Sequence, residues 1–142
     1  MAVSQDRRER TGLHPLHGLF LSGTIPLFLG GFLSDLAYSS SFHIQWNNFA
    51  SWLIAGGLLF GGLALLWAVI NLFRASRRGA NSLVYTLLLL AMWVVGFINA
   101  LIHAKDAWAS MPTGLILSAI VVLLACVATW IGFAKFGVGG AK

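Results

Sequence analysis

Apolar residues run almost unbroken through four stretches of the chain, and short polar segments separate them. The stretches extend from about Leu13 to Tyr38, Asn47 to Phe73, Asn81 to Ile102 and Thr113 to Phe133. Each holds about 20 residues or more, enough for a helix to cross a hydrocarbon layer of roughly 30 Å. The pattern predicts an all-α, integral membrane four-helix bundle over residues 13–136. A polar segment, 1–12, precedes it and a Gly-rich tail, 137–142, follows it. Between the helices, Ser39–Ser40–Ser41 opens a short connection that holds His43 and Gln45, Ala75–Gly79 is a basic turn, and His103–Pro112 is a longer connection. No second domain and no clear repeat is visible.

Composition supports lipid as the solvent. Of 142 residues, 58% are hydrophobic and 9% charged, against about 25% charged in soluble domains. Nine Lys and Arg with four Asp and Glu cannot supply a water-facing skin. The net charge of +5 does not point to nucleic acid, because the cations cluster at helix ends rather than along a stripe. Arg7, Arg8, Arg10, Arg74, Arg77, Arg78, Lys135 and Lys142 fall on one side of the four predicted spans, and only Lys105 on the other. The positive-inside rule then places both termini in the cytoplasm and turns 39–46 and 103–112 outward. Trp46, Trp52 and Trp108 fall near that outer interface, Trp67 and Trp130 near the inner one, as amphipathic indoles prefer. Trp93 falls nearer the middle and reads as packing. The first helix follows an Arg-rich start but lacks a small-x-small cleavage site, so it reads as retained. The single cysteine, Cys126, reads as a small core residue.

Small residues mark contact faces between membrane helices. Gly18, Ser22, Pro26, Gly30 and Ser34 recur every four residues on the first helix, which reads as one continuous groove for a neighbouring helix or a flat cofactor. Gly57 and Gly61 form a GxxxG pair on the second. Pro26 is expected to kink the first helix.

Polar groups inside lipid are costly and mark candidate sites. An outer layer holds Asp35, His43, Gln45, Asn47, Asn48, Asn99, His103 and Asp106. Asn99, His103 and Asp106, spaced four and three apart, share a face if the third helix continues that far. A carboxylate one turn from an imidazole would then orient His103 as a metal or haem ligand. The alternative is a hydrogen-bond network that ties helix ends together. An inner layer holds His14 and His17, with Asn71, Asn81 and Tyr85 at similar depth. His14 and His17, three apart, can reach one small metal ion or cap the helix. No nucleophile–base pair, HExxH, phosphate loop or acidic pair is present.

His14-Pro15-Leu16-His17, Ser34-Asp35-Leu36-Ala37-Tyr38, Gln45-Trp46-Asn47-Asn48-Phe49, Ile98-Asn99-Ala100 with His103, and Lys105-Asp106-Ala107-Trp108 together resemble a bacterial membrane family known as domain of unknown function 2231. The resemblance spans about residues 13–133. It implies a multi-pass protein of the bacterial inner membrane, with relatives beside periplasmic, quinone-dependent sugar dehydrogenases of the sorbosone dehydrogenase type. Many members open His-Pro-x-x-x-His; here the second histidine, His17, comes earlier and Leu19 holds the later place.

Two functions follow as expectations. One is an electron-transfer component that binds haem b or quinone and accepts electrons from a periplasmic dehydrogenase. His103 and His43 would be the metal ligands, Asp106, Asn99 and Asp35 would line that site, and His14 and His17 would form a second, inner one. The other is a non-catalytic accessory subunit or anchor, docked on another membrane subunit or a second copy through Gly57 and Gly61. A channel is the weakest alternative, since four helices leave a narrow pore at best.

Overall fold

The computed structural model describes residues 13–74 and 79–136. The polar start 1–12, the basic turn at 75–78 and the tail from 137 lie outside the described residues, as do the cations they carry.

Four long helices form, where the apolar runs predict them. They are α1 (Pro15–Ser41), α2 (Ile44–Arg74), α3 (Ala80–His103) and α5 (Thr113–Phe136), with one short turn of helix, α4 (Ala107–Ser110), before the last. All four long helices are long and apolar enough to cross a membrane. Among the described residues there is no strand. Pro15 starts α1 at a position where its missing N–H costs nothing, and His14 Nδ1 accepts from Leu16 N at 3.2 Å to cap the free end.

Ser39, Ser40 and Ser41 are helical rather than loop: their hydroxyls bond back to Leu36 O and Ala37 O, as serine can inside a helix. The link to α2 is therefore only Phe42 and His43. Phe42 makes the reversal in the left-handed region, φ 56°, and its N–H bonds to Tyr38 O at 2.8 Å. Its ring packs on Tyr38 and stacks on Trp108 at 5.7 Å, contacts that offset the backbone cost of about 1–2 kcal/mol.

Successive long helices run antiparallel. α1 packs on α2 and α5, and α3 packs on the same two, so α1 and α3 are parallel and face each other across the diagonal. The centre is filled by Leu21, Phe28, Ile54, Leu89, Met92 and Val121. The outer surface is apolar as well: Leu19, Leu59, Leu66, Leu123 and Trp130 are exposed, as a lipid-facing bundle requires.

The small residues of α1 do not form one groove. A step of four residues turns a helix by about 400°, so such a row drifts by about 40° per step. Gly18 faces Phe133 of α5, Gly30 faces Leu53 of α2, and Ser22 and Pro26 between them are exposed. Gly57 and Gly61 are not a docking face either. Both are buried inside the bundle, Gly57 against Phe28 of α1 and Gly61 against Met92 of α3. Trp93 packs, as expected: its Nε1–H donates to Leu58 O at 3.2 Å, through the space that Gly62 leaves open.

A Cβ at Gly57 would stand 2.6 Å from Phe28 Cε1, and that ring is too enclosed to retreat. Gly57→Ala is therefore expected to cost about 1–3 kcal/mol and to lower the melting temperature in detergent. Gly79→Ala, with nothing within 4 Å, leaves it unchanged. Equal melting curves for the two variants would contradict this packing.

Candidate functional site

Asp35 lies on α1, six residues before the helix ends, or about 9 Å along the axis. It is fully buried, and its carboxylate meets two other helices. His103 Nε2 of α3 is 2.7 Å from Oδ1. Ser118 of α5 donates its hydroxyl to Oδ2 at 2.5 Å. Asn99 Nδ2 donates to Ser118 Oγ at 2.8 Å, and His103 Nδ1 lies 2.9 Å from Asn99's own backbone carbonyl. The circuit thus begins and ends at Asn99 and joins three helices. Exposure is 5% or less at each of the four residues.

Geometry fixes most of the protons. A carbonyl only accepts, so His103 Nδ1 carries its hydrogen. The single hydroxyl hydrogen of Ser118 goes to Asp35, so Asn99 must present its NH₂ group to Ser118 Oγ. One proton then lies between His103 Nε2 and Asp35 Oδ1. Placed on either atom, it leaves the pair neutral overall, which lowers the cost of burying it away from water. The one acceptor without a partner is Asn99 Oδ1. Gly114 makes room for the imidazole: a Cβ there would stand 2.8 Å from His103 Cε1.

A second bridge spans the same diagonal at the other end. His17 Nε2 of α1 is 2.9 Å from Tyr85 Oη of α3. From His17 to Asp35 is 18 residues, and from Tyr85 to His103 is 18 residues. Eighteen residues make five whole turns, about 27 Å of axis, so each helix presents both of its bridging groups on one face. The parallel pairing keeps the same sequence offset, 68, in both bridges. Between the two levels the buried side chains are apolar, except that Thr24, Ser34 and Thr86 bond to carbonyls of their own helices. No polar path joins the two ends among the described residues.

The predicted site residues are gathered differently from the expectation. His103, Asn99 and Asp35 meet, but Asp106 does not join them. α3 ends at His103 with Ala104 as its cap, and Asp106 sits exposed at the start of α4. The carboxylate on His103 is Asp35, from another helix. His43 is exposed in the α1–α2 link, and both nitrogens of His103 are already hydrogen-bonded. His14 is exposed, with Nδ1 engaged at the helix start. Asn47 accepts from Ser110 at 3.1 Å, tying α4 to α2. Among the described residues, no group of three or more His, Cys, Asp and Glu gathers for a metal ion.

The chain matches a known family model across residues 13–139, described as predicted membrane protein (DUF2231). The chain belongs to the DUF2231 family. No curated protein and no solved structure matches it. In this DUF2231 chain, Ser118 is the participant that sequence reasoning missed. It is the lone hydroxyl in Leu115–Ala125, and a small residue there reads first as a helix contact.

Two substitutions at Asp35 separate the roles of shape and charge. In Asp35→Asn, the new amide can donate to His103 Nε2 and accept from Ser118, so folding is expected to stay within about 1 kcal/mol of the parent. Asp35→Ala strands two buried groups, at about 1–3 kcal/mol each. Thermal melts in detergent check the order; Asp35→Asn as damaging as Asp35→Ala would contradict the assigned protons.

Proposed function

We propose that this multi-pass membrane protein is a bacterial inner-membrane electron-transfer component that binds a quinone near its loop end. The supporting observation is the buried Asp35–His103 pair, which shares one proton beside an unfilled acceptor, Asn99 Oδ1. A quinone takes two electrons and two protons to become quinol. In this reading the electrons come from a periplasmic dehydrogenase, and the pair gives one proton to a quinone oxygen and is refilled from the outer aqueous phase. The second proton comes from water at that face. Asn99 Oδ1 offers an acceptor to the quinol hydroxyl. The charge asymmetry of the chain turns this end outward, towards such a partner.

Haem b fits the described side chains poorly. Axial ligation by two histidines needs nitrogens free on opposite faces of one ring plane. His103 has both nitrogens engaged, His17 has only its buried Nδ1 open beside the Tyr85 bond, and His43 stands exposed at the far end of the chain's bundle from His14 and His17. Purified protein reduced with dithionite is expected to show no haem band.

The closure of the hydrogen-bond circuit favours a second reading, a non-catalytic accessory subunit whose polar ring locks three helices. Asp35→Asn distinguishes the two, because it preserves the ring and removes the transferable proton. Under the quinone reading, membranes carrying the variant lose at least tenfold in dehydrogenase-driven quinone reduction while the protein stays at wild-type abundance. Undiminished rates would sink the quinone reading and leave the accessory one.

A further inference from the structure

At the terminal end, His17 is 4% exposed and its Nδ1 is buried without a partner. A buried ring nitrogen left unbonded in a lipid-facing bundle is costly, so it marks a place where a ligand group belongs. Its surroundings define that ligand. Nε2 is held by Tyr85 at 2.9 Å. The imidazole lies against the Trp67 indole, 6.2 Å between centroids and 29° between planes, and the His14 ring approaches the same indole at 4.7 Å. Neither His14 nor His17 is hydrogen-bonded to a carboxylate among the described residues. An aromatic site with one open polar atom suits a flat, lipid-soluble ring that carries oxygen.

We propose that His17, Tyr85 and Trp67 form a second quinone headgroup site, at the opposite membrane face from Asp35 and His103. It rests on the quinone reading above and extends it to two sites per chain. The quinone ring stacks on Trp67, and one ring oxygen bonds to His17 Nδ1. Tyr85 holds the imidazole in place through Nε2. His14 is the group that moves aside, being exposed and held by one hydrogen bond of 3.2 Å. The apolar core of about 27 Å between the levels keeps the two sites from exchanging protons through the bundle.

The test is the binding stoichiometry of a short-chain benzoquinone, ubiquinone-1, on the full chain in detergent, by equilibrium dialysis with tryptophan quenching. Wild type is expected to bind two per chain. His17→Phe, which fills the site with a ring of similar size, binds one. Trp67→Phe removes the quenching that accompanies the second equivalent. Tyr85→Phe, which keeps the ring and frees the imidazole, weakens that equivalent about tenfold and guards against a folding failure in the His17 variant. Two per chain unchanged by His17→Phe, or one per chain unchanged by it, overturns this inference and leaves the loop-end site standing. One per chain that His17→Phe abolishes supports this site and overturns the other. No binding at all overturns both.

Discussion

A polar group buried in a lipid-facing bundle has only protein to bond to. That constraint accounts for the way α1 and α3 are held. Asp35 cannot face lipid, where an unsatisfied carboxylate costs several kcal/mol. It faces inward, and the groups that meet it come from the two helices it must cross to reach, His103 from α3 and Ser118 from α5. The same rule brings His17 onto Tyr85. Because both bridges lie on the α1–α3 diagonal five turns apart, they fix the register of two helices that otherwise touch little. A shift of one residue would swing each polar group by about 100° out of reach of its partner.

The glycines are the counterpart of this constraint. Diagonal bridges need the four helices to approach closely, and the side chains that fill the centre, Phe28 and Met92, lie over Gly57 and Gly61. Gly114 does the same for the His103 ring. Close packing, rather than expulsion of water, is what joins helices in lipid, so these positions contribute through the volume they leave.

The four helices were legible because about 20 apolar residues in a row admit few other structures, and the observed ends fall within a few residues of the expected ones. Asp35, Asn99 and His103 were legible as costly polar groups. Their partnership was not, because hydrogen bonds between helices leave no spacing pattern within either helix. Spacing along one helix favoured Asp106, and the chain stops being helical three residues too early for that. Ser118 was hidden among small contact residues. The row from Gly18 to Ser34 misled for a geometric reason, since a period of four drifts around a helix of 3.6 residues per turn.

The central claim is that one proton is shared between His103 and Asp35 inside the bundle, and ¹⁵N magnetic resonance of the His103 ring in lipid bilayers reads it directly. The account predicts a protonated Nδ1 and a strongly hydrogen-bonded Nε2 whose signal moves when Asp35 becomes Asn. An Nδ1 lone pair, or an Nε2 signal indifferent to that substitution, would contradict it.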